Sequence, residues 1–165
     1  MFSSVAHKGV RVILFDENYK LLLIKHTVKD ENKEFWVLPG GGLEKDEYSY
    51  EGAIREMKEE TGLDIEVDHL VYHVEEKCTD GLRCTNYFTA HIVGGNMALG
   101  YDPEFDENNQ VLSELAFFSK EEIESLPNVY PNIIRDELWE FAPNYNPEHT
   151  VWRVRPSKGF EKKAR

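Results

Sequence analysis

Apolar and polar positions along the chain fall into two rhythms. GVRVILFD (9–16) and KLLLIKH (20–26) are short runs rich in β-branched and aliphatic residues, as strands are, and Glu17-Asn18-Tyr19 between them has the length of a hairpin turn. TVKDENKE (27–34) is polar and reads as a loop, and FWVLP (35–39) as a short strand stopped by Pro39 ahead of three glycines. The period then changes. From about 47 to 61, Tyr50, Ala53, Ile54 and Met57 lie on one stripe at helical spacing. Asp46 or Ser49 can cap that helix, and Gly62 stops it, because glycine enters the left-handed region without strain.

Further on, IEVDHLVYHVEEK (65–77) and RCTNYFTAHIV (83–93) predict two strands around the turn signal Asp80-Gly81. Residues 94–110 read as loop, LSELAFFS (112–119) as a strand, KEEIESL (120–126) as a short helix ended by Pro127, and NIIRDELWEF (132–141) as a second amphipathic helix. Pro143, Pro147 and Pro156 then interrupt any regular element, and SKGFEKKAR is expected to be a mobile basic tail. With no repeat and no internal linker, the pattern predicts an α/β fold in one domain, 1–141, followed by a C-terminal extension, 142–165.

Charge narrows the partners. The 165 residues carry a formal net charge of −12, which disfavours duplex nucleic acid, whose binding depends on neutralising phosphates with Lys and Arg. A phosphorylated small molecule would need a cation to screen it from this surface. No apolar run is long enough for a membrane span, and MFSSVAHKGV lacks a secretory h-region, so the expected compartment is the cytoplasm. Cys78 and Cys84 are then expected to be reduced thiols with no disulfide or metal role.

Against that background one segment stands out. Gly41 to Leu63 holds six Glu and one Asp, although like charges four apart on a helix repel by a few tenths of a kcal/mol per pair. On a helical wheel Glu56, Glu59 and Glu60 fall within an arc of about 100°, bordering the apolar stripe, where charge is costly unless compensated. Oxygen ligands clustered this way suit hard cations, Mg²⁺ or Mn²⁺. Arg55, four positions before Glu59, can orient it. The preceding LPGGGLE supplies carbonyls that can complete a metal shell and glycines that let a phosphate approach the backbone.

Gly41, five residues, Glu47, seven residues, then Arg55-Glu56-Met57-Lys58-Glu59-Glu60-Thr61-Gly62-Leu63 resembles the Nudix box, G-x5-E-x7-R-E-U-x-E-E-x-G-U, at every fixed position. The resemblance implies an α/β/α sandwich with a mixed β-sheet and a metal-dependent pyrophosphohydrolase that cleaves a nucleoside diphosphate linked to another moiety. It implies Glu56, Glu59 and Glu60 as ligands of more than one Mg²⁺ or Mn²⁺ ion, with the Gly40 carbonyl as a further ligand. Arg55 would orient the glutamates and Glu47 would support the loop–helix geometry. A nucleotide-sensing module without catalysis is the alternative.

Outside the box, Glu104, Glu107 and Glu114 are candidates for a general base, and Glu114 also for an extra metal ligand. Trp36 and Tyr87 could stack on a base, and Arg83 could contact a phosphate. His69, His73 and His91 show no metal-ligand spacing. The Pro that ADP-ribose-cleaving relatives tend to carry some 15 or 16 residues past the box is replaced by Cys78-Thr79-Asp80, and markers of dinucleoside-polyphosphate and NADH cleavage are missing too, which leaves the substrate open. Dimers are common in similar proteins, and a homodimer is the expected assembly if there is one.

Overall fold

The computed structural model describes residues 7–100, 110–142 and 151–155. Among these residues nine strands form two sheets. β1 (His7–Ile13), β4 (Gly40–Gly42), β5 (Leu63–Cys78), β6 (Gly81–Gly95) and β9 (Val151–Arg155) make a mixed sheet in the order β4-β1-β6-β5-β9. β2 (Leu21–Val28), β3 (Lys33–Val37), β7 (Gln110–Phe118) and β8 (Val129–Tyr130) make the other, in the order β7-β2-β3-β8. The helices are α1 (Ser49–Thr61), α2 (Lys120–Ser125) and α3 (Glu137–Phe141). The architecture is α/β, with two sheets where one was expected.

Alternation along the strands divides the core. Val10 and Val12 of β1 join Ala53 and Met57 of α1, Leu63, Ile65 and Phe88 in a cluster beneath α1. Ile13, on the other face of β1, joins Leu21, Leu23 and Trp36 of the second sheet, Tyr72, Val74 and Tyr87 of the first, and Ile123, Leu138 and Trp139 of the C-terminal helices. The acidic helix therefore sits on one side of the first sheet and the C-terminal helices belong to the cluster on the other.

Several local expectations change. β1 and β2 do not form a hairpin: beyond an isolated bridge, Phe15 with Leu21, they part into different sheets, β1 pairing with β6 and β4, and β2 with β3 and β7. The glycine run is a strand, paired with β1 through Gly9 opposite Gly42. The predicted helix 132–141 breaks into a 3-10 turn, Asn132–Ile134, and the short α3, with Asp136 at the N-cap accepting from the Glu137 N–H. Within the expected C-terminal extension, β9 adds a parallel strand beside β5. The 156–165 tail, Glu104 and Glu107 lie outside the described residues. Among the described residues no helix is long and apolar enough to cross a membrane.

His26 of β2 is 2% exposed and stacks on Phe35, ring centroids 5.2 Å apart. Burial, and then the charge of Arg11, lower its pKa to about 4. Because the folded pKa lies below the unfolded value, the native state resists a proton that the unfolded chain takes up. Stability from this group is whole above pH 6.5 and is lost as pH falls from 6.5 toward 4, by up to about 3 kcal/mol. Denaturant titrations across that range should show wild type losing more stability than His26→Leu, and parallel losses would contradict it.

Candidate functional site

The helix that carries the acids is set by its ends. Neither expected cap is used: the N-cap position is Tyr48, whose backbone N–H donates to Glu51 Oε1 at 3.1 Å, and Asp46 adopts a left-handed φ of 62° in the turn before it. Gly62 closes the helix at φ 73°, its N–H donating to the Lys58 carbonyl. The segment after β6 finishes the job, since the N–H groups of Ala98 and Gly100 donate to the carbonyls of Thr61 and Glu60.

On α1 the apolar stripe draws the acids inward. Glu56 is 1% exposed and Glu60 0%, whereas the Glu59 side chain keeps a third of its surface. Arg55 ties the array together. Its Nε and Nη2 donate to the two oxygens of Glu47 at 2.8 and 2.9 Å, a bidentate pair. Nη1 donates to Glu56 Oε1 and to Glu59 Oε2, both at 3.1 Å, and Nη2 also to the Gly42 carbonyl at 3.0 Å. Glu44 Oε1 stands 3.6 Å from Nε. The hydrogen bond to Glu47, followed by the nearby carboxylate charges, holds the guanidinium protonated well beyond its ordinary range, and the same bond from Arg55 holds the Glu47 carboxyl below its usual range.

The glycine loop reaches the helix at Gly40, whose N–H donates to Glu60 Oε1 at 2.7 Å. This close approach needs glycine: at φ 146° a Cβ on Gly40 would lie 2.0 Å from the Val10 carbonyl oxygen. Gly52 serves the same end from the helix side. A Cβ there would lie 2.3 Å from a Leu43 methyl and 3.0 Å from Glu47 Oε1, so the missing side chain makes room for the loop, not for a ligand.

Sequence reasoning passed over two residues here. Glu44 belongs to the Arg55 array, and Arg11 donates from Nη1 to the carbonyls of Leu38 and Gly40 at 2.9 and 3.3 Å. The signal for Arg11 was a charge set between Val10 and Val12 in a strand that is otherwise apolar. Four carboxylates, from Glu44, Glu47, Glu56 and Glu59, thus face the Arg55 guanidinium, while Glu60 is held by the Gly40 N–H. Two buried carboxylates one helical turn apart, in an array this acidic, fit a hard divalent cation bound through oxygen.

The remaining expected site residues lie elsewhere in the fold. Trp36 is 7% exposed and packs its ring edge-on to Phe118 at 4.9 Å, with Lys25 Nζ 5.5 Å from its centroid, so core packing occupies the ring expected to stack on a base. Tyr87 is likewise buried, edge-on to Tyr72. Tyr87 and its neighbour Phe88 face opposite ways, and a cluster lies on each side of the sheet, so both are core. Glu114 is half exposed on β7 and pairs with Lys25 at 3.0 Å; it would have to leave that ammonium to ligate a metal. Arg83, half-buried on β6, stands opposite Glu76 of β5 and His7 of β1. Cys78 and Cys84 are free thiols that do not face each other: Cys78 pairs with Gly81 and Cys84 with Glu75.

Fold and site together define an α/β protein in which a glycine strand is clamped against an acidic helix. The chain belongs to the NUDIX family, whose NUDIX domain matches residues 5–136. An ADP-ribose pyrophosphatase of Methanocaldococcus jannaschii is 36% identical over 110 residues, 63% of this chain and 63% of that relative's own length. Among solved structures, a UDP-X diphosphatase superposes with a TM-score of 0.67 at 18% identity, covering 93% of this chain and 69% of the other. A MutT protein from Methanosarcina mazei superposes with a TM-score of 0.66 at 23% identity, covering 88% and 100%. At such identities these superpositions speak for the fold alone.

Proposed function

We propose that the protein is a Mg²⁺- or Mn²⁺-dependent pyrophosphohydrolase that cleaves a nucleoside diphosphate linked to another moiety. The observation that carries this reading is the Arg55 clamp, which holds Glu47, Glu56 and Glu59 in one array beside the Gly40 loop. Glu56, Glu59 and Glu60, with the Gly40 carbonyl, would hold the ions. Bound there, divalent cations supply charge neutralisation for the pyrophosphate and acidify a water.

The chain's own part is positioning. Glu60, held by the Gly40 N–H, couples the loop to the helix, so that carbonyl and carboxylates keep one spacing. Arg55 fixes the Glu56 and Glu59 side chains, so that both carboxylates are held in place for the ions. Arg11 supports the loop from below through the Leu38 and Gly40 carbonyls. Residues 1–141 make up the catalytic unit in this reading, and the extension contributes β9.

ADP-ribose is the first trial substrate, because the Methanocaldococcus relative is named an ADP-ribose pyrophosphatase, although the proline expected of such enzymes is absent here. With Mg²⁺, a panel of ADP-ribose, nucleoside triphosphates, nucleotide sugars and dinucleoside polyphosphates should include at least one compound hydrolysed at a pyrophosphate bond. Nucleotide binding without turnover across the panel would replace this reading with a sensing module.

A further inference from the structure

We propose that His73, Glu75 and Cys84 form a second metal site, suited to Zn²⁺ or a similar borderline ion and distinct from the oxygen-lined acids of α1. The three differ in kind and come from two strands, and the β5–β6 register gathers them. His73 and Glu75 are two apart on β5 and so share a face; Cys84 stands opposite Glu75 and Asn86 opposite His73. One ligand atom from each of His73, Glu75 and Cys84 lies within 4.8 Å of the others, and all three residues are half-buried.

The histidine is already oriented for the task. Its Nδ1 is 2.6 Å from Asn86 Oδ1. An amide oxygen only accepts, so Nδ1 carries the proton and the lone pair is left on Nε2. Nε2 points toward Glu75, 3.5 Å from Oε1. Asn86 is itself fixed, its Nδ2 donating to Ser49 Oγ at 2.9 Å. An outer hydrogen bond on the far ring nitrogen is the usual means of aiming a metal-binding imidazole.

Distances and chemistry agree. Around a tetrahedral Zn²⁺ with bonds of about 2.0–2.3 Å, ligand atoms stand roughly 3.3–3.8 Å apart. The Nε2–Oε1 separation is within that range, and since no pair in the trio is more than 4.8 Å apart, closing the rest takes at most about an ångström of side-chain movement. A nitrogen, a carboxylate oxygen and a sulfur suit Zn²⁺ and not Mg²⁺, with a fourth position left for water. The thiol gives up its proton to solvent as the Cys84 Sγ–metal bond forms. Lys8, opposite Cys84 on β1, brings a cation nearby on a flexible side chain that can turn away. Because Asn86 links the trio to Ser49 in the first turn of α1, an ion here would pin β5 and β6 to the start of the acidic helix.

The test uses Co²⁺ as a spectroscopic probe on the full, chelator-stripped chain in excess Mg²⁺. One Co²⁺ per chain should give a near-ultraviolet thiolate charge-transfer band that Zn²⁺ displaces. The band should vanish in Cys84→Ser, persist in Cys78→Ser, and need at least about tenfold more metal in His73→Gln. In wild type, where no substitution can disturb folding, Zn²⁺ should slow alkylation of Cys84 by iodoacetamide, read by mass spectrometry. Absence of the band, its survival in Cys84→Ser, or alkylation of Cys84 at an unchanged rate would overturn the site. None of these readouts depends on hydrolysis, so the site stands or falls apart from the catalytic reading.

Discussion

Replacing Glu59 by Gln should lower Mg²⁺-dependent turnover at least about a hundredfold, the scale of losing one preorganised electrostatic element. The substitution is nearly isosteric, and the Gln oxygen can still accept from Arg55 Nη1, now 3.1 Å from Glu59 Oε2. Glu59 is also the most exposed of the three helical acids, its side chain retaining a third of its surface, so its loss should leave the fold intact. What disappears is one negative charge from the metal-binding set. Steady-state kinetics with a thermal melt alongside would check this, and a rate within a factor of a few of wild type would remove Glu59 from the mechanism.

Replacing Arg55 by Ala should be damaging in two ways at once. The guanidinium is the partner shared by Glu47, Glu56 and Glu59, and Glu56 is almost fully buried. Removing it leaves a buried carboxylate among like charges, which costs about 3 kcal/mol when a buried pair is broken from one side. Turnover should fall by about two orders of magnitude, because the acids lose their common anchor. Arg55→Lys should rescue little, since a single ammonium cannot hold Glu47 bidentately while reaching Glu56, Glu59 and the Gly42 carbonyl. Mg²⁺ should restore part of the lost melting temperature in Arg55→Ala, as cations take over the neutralising charge. A variant as stable as wild type without metal would contradict the clamp.

The two effects share a cause that was visible in the sequence. Tyr50, Ala53, Ile54 and Met57 marked the buried side of α1 and the intervals among Arg55, Glu56, Glu59 and Glu60 marked its acidic border, because a helix converts spacing directly into a face. Even there the reading was incomplete: Tyr50 and Ile54 are partly exposed, and Ala53 and Met57 carry the contact.

Strand pairing was less legible. Alternation tells which residues share a face but not which strand lies alongside, so β1 and β2 looked like a hairpin yet separate into two sheets. The same blindness hid His73, Glu75 and Cys84, whose proximity depends on the cross-strand register and not on any interval along the chain. It also turned Trp36 and Tyr87 from candidate stacking surfaces into core, since both belong to the cluster to which the two sheets contribute. β9 was obscured by the flanking prolines, although a five-residue edge strand needs no more than VWRVR between them.

The most direct measurement of the central claim is a crystal structure of the chain with Mn²⁺, phased on the anomalous signal of the ion. The account predicts manganese between Glu56, Glu59 and Glu60 beside the Gly40 carbonyl. Those carboxylates left without metal at saturating Mn²⁺ would contradict it.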